Sequence, residues 1–393
     1  MPVYHKQGKV PPKRHVQFRN ADGGLYHEEL FGRRGFDGPY SLLYHLHPPT
    51  QFTKVEQISD ANVCQPIEDP LFRHRHFRLA KAAHRGDPVT GRRQLLVNED
   101  VSIAVCIPAE SMDYLYCNGV GDELIFVHEG SGSLNTMFGD LRYGPGDYMV
   151  IPKGTTYRLH VDCPNPSRFL ILETPGCISL PKKYHNEYGQ LLEHSPFCAR
   201  DFRLPGELNT IDQLGEFAIK IKTQRGIMLY TLNHHPFDVV GWDGYLYPWI
   251  FNIHDFEPIT GRIHQPPSVH QTFAGPNFVV CSFVPRLVDY HPLAIPAPYN
   301  HSNIDSDEVL YYVDGSFMSR KGIDAGSVTF HPAGIPHGPQ PGTVQASIGG
   351  AATEELAVMI DTFRPLRLAQ HALEFDDSDY PLSWSKSQLE LAK

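Results

Sequence analysis

Short segments rich in Val, Ile, Phe and Tyr recur along the whole chain, and Pro and Gly separate them. Strands bounded by such turn-forming residues are typical of β-sandwiches and β-barrels. A spacing of apolar residues that suits a helix occurs around residues 209–219 and again in RPLRLAQHALEF, residues 364–375. We therefore predict a mainly β protein with few, peripheral helices.

The strands and turns contain an internal repeat. In the first copy DELIFVHEGSG (122–132) precedes YGPGDYMVIPKGTTYRLH (143–160), and in the second DEVLYYVDGSF (307–317) precedes DAGSVTFHPAGIPHGP (324–339). The later part of each copy reads Gly-x5-Pro-x-Gly-x2 and closes on Tyr157 or His337. Gly supplies a positive φ and Pro fixes the approach to the turn, so the closing residue is expected to point into a barrel.

This spacing resembles the second motif of the cupin family, Gly-x5-Pro-x-Gly-x2-His, whose last residue is a metal ligand. The C-terminal copy matches every position, which implies tandem cupin barrels of the double-stranded β-helix, or jelly-roll, kind. We expect an N-terminal domain over residues 1–235 that contains a degenerate, metal-free barrel at about residues 98–180. A C-terminal cupin domain over residues 236–393 is expected to hold the metal.

The amino-acid composition limits which residues could bind a metal and which partners the protein could have. The seven cysteines are scattered and never in Cys-x-x-Cys spacing, so a metal would be held by carboxylates and some of the 22 histidines. The formal net charge of -10 disfavours a general attraction to nucleic acid or to an anionic membrane. Because no signal-peptide core and no run of about 18 apolar residues is found, we expect a cytoplasmic enzyme whose partners are small molecules.

Candidate metal ligands converge in the C-terminal copy. His301 stands seven residues before Glu308, so both side chains can face one cavity together with His337. Two imidazoles and one carboxylate with open positions form the facial triad typical of non-haem Fe(II) oxygenases, and zinc or manganese would also fit. In the N-terminal copy the matching stretch, CNGVGDE (117–123), contains no His before Glu123. Tyr157 stands there where the other copy has His337. We therefore expect one metal site.

Longer stretches resemble homogentisate 1,2-dioxygenase, a family of Fe(II) ring-cleaving enzymes of tyrosine and phenylalanine breakdown. They are PFDVVGWDGYLYPWIFNI (236–253), IHQPPSVHQTF (263–273), PYNHSNIDSDE (298–308) and HPAGIPHGP (331–339). The opening FRNADGGLYHEELFGRRGFDGPYSLLYHLHPPT (18–50) is similar to that of bacterial members. The resemblance implies Fe(2+) as the cofactor, a small aromatic acid and O2 as reactants, and a homo-oligomer.

By position, the resemblance implies that His301, Glu308 and His337 are the iron ligands and that His264 is the active-site base. The family has five residues between the first His and the Glu, which is the spacing to Asp307 here. The internal repeat instead favours Glu308, because Glu123 occupies the same place in the first copy. We therefore favour Glu308 as the carboxylate ligand, with Asp307 and Asp305 as the alternatives.

His331 and Phe317 are further candidates for contacts with the ligands or the substrate, and Phe317 stands near the position of a substrate-contacting Tyr of the family. The implied reaction is homogentisate and O2 to 4-maleylacetoacetate. One alternative is a gentisate-type or salicylate-type bicupin dioxygenase, which normally uses three histidines. An isomerase of the sugar-phosphate cupin kind would use the metal without O2. A ligand-binding bicupin without catalysis is the non-enzyme alternative, and the intact motif at His337 disfavours it.

Overall fold

The computed structural model describes residues 3–59, 66–69, 71–80, 82–163, 166–315, 317 and 322–385. The strands that precede residue 236 are β1 (His5–Gly8), β2 (His27–Gly32), β3 (Tyr40–His45), β4 (Phe52–Ser59), β5 (Arg75–Phe77), β6 (Arg92–Val97), β7 (Ser102–Cys106), β8 (Leu115–Asn118), β9 (Asp122–Glu129), β10 (Gly132–Thr136), β11 (Gly139–Tyr143), β12 (Asp147–Ile151), β13 (Thr156–Val161), β14 (Arg168–Thr174), β15 (Phe202–Arg203), β16 (Leu214–Thr223) and β17 (Gly226–His234). Those that follow are β18 (Val239–Gly244), β19 (Trp249–Asn252), β20 (Gln271–Gly275), β21 (Phe278–Phe283), β22 (Arg286–Leu287), β23 (Asp307–Asp314), β24 (Val328–His331), β25 (Ala352–Thr353), β26 (Leu356–Thr362) and β27 (Arg367–Leu368).

Helical structure in the described residues is short and peripheral. The α-helix α1 spans Thr343–Ser347. The 3-10 helices span Arg34–Phe36, Lys182–Tyr184, Ala199–Asp201, Ile253–Asp255, Pro267–His270, Gln370–Glu374 and Tyr380–Leu382. None of the helices described has the length and the apolar character that a membrane crossing requires.

The helix predicted around residues 209–219 is wrong. Much of that stretch lies in β16, which forms an antiparallel pair with β17 through Phe217, Ile219 and Ile221. These large apolar residues recur at every second position, and this period of two, together with a hairpin partner, prevails over the weak helical spacing. The stretch at residues 364–375 forms β27 and a single 3-10 turn.

The N-terminal barrel is built from two sheets. Their strand orders are β11-β10-β13-β8-β16-β17-β4 and β15-β19-β12-β9-β14-β7-β6-β27. Apolar side chains from both sheets fill the interior, among them Ile125, Met149, Leu159 and Ile171, each at most 1% exposed. The interior of this barrel is therefore a packed core.

The C-terminal barrel is built on one six-stranded sheet with the order β20-β21-β26-β23-β24-β5. The pair β22–β25 and a bridge between His301 and His337 lie outside that sheet. The strand β5 comes from the N-terminal half of the chain, whereas β19 follows residue 235 and lies in a sheet of the N-terminal barrel. The two halves therefore exchange strands, and a division at residues 235 and 236 remains our proposal.

A continuous hydrophobic cluster joins the two barrels. It includes Phe126 and Tyr148 from the first and Tyr311 from the second. Hydrogen bonds also cross this boundary, between His128 Nδ1 and the Tyr311 hydroxyl at 2.7 Å and between the Tyr148 hydroxyl and Ser282 Oγ at 2.8 Å. Buried bonds of this kind fix the orientation of the two barrels, because a lost partner would leave an unsatisfied polar atom in the core.

The predicted fold class, mainly β with tandem cupin barrels and few peripheral helices, is confirmed. The two turns of the repeat also adopt the expected backbone, since Gly154 has a φ of +88° and Gly334 a φ of +78°. A residue with a side chain would be strained at either position.

Candidate metal centre

His301 and His337 are held side by side by their own backbones. The His301 N–H donates to the His337 carbonyl at 2.8 Å, and the His337 N–H donates to the His301 carbonyl at 2.9 Å. The two imidazole centroids are 4.3 Å apart. The residue that closes the turn after β24 is thereby paired with the loop that leads into β23.

Both imidazoles have a fixed ring orientation. His301 Nδ1 lies 3.2 Å from the Tyr299 carbonyl, and His337 Nδ1 lies 3.0 Å from the Ile335 carbonyl. A carbonyl oxygen can only accept, so Nδ1 carries the proton in each ring and the lone pair of the neutral ring lies on Nε2. Both Nε2 atoms are 3.4 Å from an oxygen of Glu308. A metal-binding histidine typically donates the N–H of its other ring nitrogen in this way, which leaves Nε2 as the candidate ligand atom here.

The neighbouring carboxylates of β23 point in opposite directions. Glu308 faces the two imidazoles, whereas Asp307 accepts hydrogen bonds from the Ala333 N–H at 2.7 Å and the Leu366 N–H at 2.6 Å. Successive side chains of a strand alternate between its faces, so only one of the two can enter the barrel. The geometry turns Glu308 inward, in agreement with the repeat and not with the spacing of the family.

The charges around Glu308 favour its ionised form. Burial alone would raise its pKa, but the neighbouring imidazoles of His301, His331 and His337 hold the pKa well below the usual range. An ionised carboxylate and neutral imidazoles are the protonation states that metal binding requires. Close by, burial and the negative charge of Glu308 raise the pKa of Asp361 to about 8.

The arrangement fits a divalent metal ion. One donor atom from each of His301, Glu308 and His337 lies within 4.8 Å of the other two, and no other such group occurs among the residues that the structure describes. His337 Nε2 is buried, and no hydrogen-bond partner for it is found among those residues. A buried lone pair of this kind is costly unless something binds it. Two nitrogens and an oxygen suit iron, zinc or manganese.

Four further side chains surround the cluster, and only one of them was predicted from the sequence. His331 is completely buried, and its Nδ1 is 2.8 Å from Glu308 Oε1 while its Nε2 is 3.0 Å from the Tyr380 hydroxyl. The ring of His74 lies 5.3 Å from that of His331, and Trp384 packs 5.4 Å from His74. Sequence reasoning found His331 and missed the other three. Residues so far apart in the chain carry no local spacing that could reveal them.

The other two predicted residues lie outside this cluster. His264 is half-exposed, with Nδ1 3.5 Å from an oxygen of Asp289 and its ring 5.2 Å from Tyr299, the residue that orients His301. It therefore lies at the edge of the site. Phe317 packs on Tyr312 beyond the far end of β23, on the order of 13 Å along the strand from Glu308.

The N-terminal barrel has a different arrangement at the same place. Glu123 faces inward, as Glu308 does, and accepts a hydrogen bond from the Tyr157 hydroxyl at 2.7 Å. The guanidinium of Arg92 also bonds to Glu123, and it reaches Glu173 at 2.6 Å. A cation of the protein itself thus neutralises these carboxylates, which is how buried charges are tolerated.

Fold and cluster together define a two-barrel cupin protein with a candidate metal site in its C-terminal barrel. Residues 12–253, more than half of the chain, match the family described as "Homogentisate 1,2-dioxygenase N-terminal". The chain therefore belongs to the homogentisate 1,2-dioxygenase family, and it is an enzyme of the dioxygenase class.

Individual relatives agree with this family assignment. A protein of Saccharolobus solfataricus named "Putative dioxygenase" is 45% identical over 390 residues, which cover 98% of this chain and 100% of that protein. Homogentisate 1,2-dioxygenase of Bradyrhizobium diazoefficiens is 26% identical over 96% of this chain and 90% of its own length. A solved cupin barrel protein of Leptotrichia buccalis covers 75% of this chain and 99% of its own length at 10% identity, with a TM-score of 0.38 that adds nothing to the fold assignment.

Proposed function

We propose that this chain is an Fe(II)-dependent ring-cleaving dioxygenase that converts homogentisate and O2 to 4-maleylacetoacetate. The observation that carries the proposal is the convergence of His301, Glu308 and His337 in a chain of this family. These three residues would hold the ion and leave positions open on one side of it. When bound, iron supplies the redox chemistry that lets O2 react with the aromatic ring.

Side chains of the protein would transfer the proton and orient the metal ligands. His264 Nε2 is proposed to accept the proton of a ring hydroxyl, and the interaction of its Nδ1 with Asp289 orients the ring for that transfer. His331 holds Glu308 Oε1 through a hydrogen bond, and Tyr380 in turn holds His331. A carboxylate fixed in this way keeps its orientation while the substrate binds.

Oxygen uptake by anaerobically prepared, Fe(II)-loaded protein tests this proposal. The panel consists of homogentisate, gentisate and salicylate. We expect uptake to be fastest with homogentisate, with some turnover of gentisate, because one methylene in an apolar pocket is worth only about 1–3 kcal/mol. Equal or reversed preference would assign the chain to a neighbouring ring-cleaving activity. No uptake with any hydroxylated aromatic acid would contradict ring cleavage.

A further inference from the structure

A second carboxyl group faces Glu308 across two neighbouring strands. Asp361 on β26 is the direct partner of Glu308 on β23 in the antiparallel pair. Directly opposite residues of neighbouring strands point to the same face of the sheet. The N-terminal barrel repeats this arrangement, because Glu173 on β14 is the direct partner of Glu123 on β9. Each barrel therefore has two inward carboxyl groups at equivalent positions.

In the N-terminal barrel, cations of the protein satisfy the second carboxyl group. Arg92 Nη1 contacts both Glu123 and Glu173, and Lys222 Nζ forms an ion pair with Glu173. Asn118 Nδ2 donates to Glu173 at 3.3 Å. The carboxyl group of Glu173 is thus surrounded by several hydrogen-bond donors. Such donors are needed because burying an unpaired charge is costly.

In the C-terminal barrel, the equivalent group lacks such donors. Asp361 Oδ1 is buried and has no hydrogen-bond partner among the residues that the structure describes. The residue as a whole is partly exposed, and its strand partner Glu308 places its side chain on the same face of the sheet as the candidate metal ligands. A carboxyl group accepts hydrogen bonds through at least one oxygen whether or not it carries a proton. A molecule that enters the barrel could therefore supply a donor that the described residues do not.

The wall around Asp361 is apolar. Val280, Val309 and Ile360 belong to the core between the barrels, so the residues that alternate with them face the interior. Val279, the direct partner of Asp361 on β21, and Leu310, which follows Glu308 on the same face of β23, are partly exposed there. An apolar wall with a single acceptor beside the cluster suits a flat ring that carries one hydroxyl group at that edge.

We propose that Asp361 determines specificity by accepting a hydrogen bond from the ring hydroxyl of the substrate that is not bound to the metal. This inference rests on the proposed function, and it adds the residue that would recognise the second ring hydroxyl. The substrate is a ring with two hydroxyl groups, one for the metal and one for Asp361. The carboxylate of the substrate lies away from Asp361, since two acidic groups in contact would repel each other.

Ligand affinity measured without turnover tests this role. The full chain is loaded with Zn2+, which does not activate O2, and titrated anaerobically by calorimetry with homogentisate and with 2-hydroxyphenylacetate, which lacks the second ring hydroxyl. We expect the wild type to bind homogentisate about 3–10-fold more tightly, the net worth of one hydrogen bond. Asp361→Ala should bind both ligands equally, with its affinity for 2-hydroxyphenylacetate changed less than about threefold. Asp361→Asn, which keeps an amide oxygen as acceptor, should retain part of the preference.

Zinc content and a matched control separate this role from a structural one. Asp314→Ala, which removes an exposed carboxylate at the end of the same strand as Glu308, should bind both ligands as the wild type does. The inference is overturned if Asp361→Ala loses zinc, loses affinity for both ligands equally, or still prefers homogentisate. It is also overturned if the wild type binds the two ligands with equal affinity or binds neither of them. The proposed function fails on a different result, the absence of O2 uptake by the Fe(II)-loaded wild type.

Discussion

Asp307 and Glu308 are adjacent, and yet they have different surroundings. Asp307 accepts from two backbone N–H groups, and Asp122 does the same in the other barrel for the N–H groups of Lys153 and Ile178. The first residue of the Asp-Glu pair thus fixes the Pro-x-Gly turn in both barrels. The second residue is left to face the interior.

Replacing each of these two residues should therefore give opposite results. Glu308→Ala is expected to stay folded and to lose its metal, because it removes one of three ligands. Asp307→Ala is expected to keep metal in its folded fraction and to lose stability, at about 1–3 kcal/mol for each backbone N–H left without an acceptor. Metal analysis and urea unfolding measure both effects. Metal loss in Asp307→Ala with full retention in Glu308→Ala would contradict the assignment.

His264 should affect the rate and leave the metal in place. It lies at the edge of the cluster and is not one of the three converging donors. We expect His264→Asn to retain iron while the turnover rate falls by roughly 10²–10⁴, the usual contribution of a positioned acid or base. His291→Asn, on the nearby surface, serves as the control. Turnover at the wild-type rate in His264→Asn would remove this residue from the mechanism.

At the level of residues, the sequence could predict those site residues that occupy equivalent positions in the two copies of the repeat. Glu308 was favoured by its alignment with Glu123, and it is Glu308 that faces the imidazoles. Asp361 was missed, although Glu-Thr ends β14 and Asp-Thr ends β26 in corresponding places. Its significance depends on strand register, which a motif does not specify.

Among the elements, β6, β9 and β14 are joined by a buried ion-pair network. Arg92 on β6 bonds to Glu123 on β9 and Glu173 on β14, and all three side chains are at most 8% exposed. Arg92→Ala should lower the free energy of unfolding by about 3–5 kcal/mol, because it leaves buried carboxylates without their partner. Arg142→Ala, which breaks an exposed pair with Asp162, should cost at most about 1 kcal/mol. Equal losses in urea unfolding would show that the network is not stabilising.

The sheet that contains β2, β3 and β18 carries a pH-dependent contact. Burial would lower the pKa of His45, but hydrogen bonds with Asp238 and Glu29 raise it to about 9. The charged form stabilises the fold fully below the unfolded-state value near 6.5, and this contribution is lost as pH rises through about 9. The free energy of unfolding of the wild type should therefore be higher at pH 6 than at pH 9.5. This decrease should be up to about 3 kcal/mol larger in the wild type than in His45→Gln.

A control replacement isolates this effect. His15 pairs with Glu28 on the surface, with its side chain 96% exposed, so His15→Gln should leave the pH dependence of the wild type unchanged. A His45→Gln variant that retains the full pH dependence would show that another group causes it.

The class of the elements was predictable, whereas their partners were not. Turn residues and apolar runs indicated strands correctly throughout the repeat, but β16 was mistaken for a helix because its pairing with β17 decides its conformation. Nothing near β5 in the sequence indicates that it pairs with β24. Pairings between distant segments depend on the folded chain as a whole.

On the scale of the whole molecule, the N-terminal half helps to build the C-terminal site. The segment around β5 brings His74 next to His331 and His337. The ion pair of Arg75 with Asp376 connects this segment to the C-terminal part of the chain. The two barrels therefore share core packing and strands around the candidate metal centre of the C-terminal barrel. One barrel neutralises its inward carboxylates with Arg92 and Lys222, and the other brings together the candidate metal ligands.

The ratio of iron to protein tests this account most directly. The chain is loaded with Fe(II) anaerobically, freed of unbound metal by gel filtration and analysed for iron. We expect one iron per chain in the wild type and in Tyr157→Phe, because the N-terminal barrel contributes no ligand, and none in His337→Ala. Two iron ions per chain, or one that persists in folded His337→Ala, would contradict a single centre held by His301, Glu308 and His337.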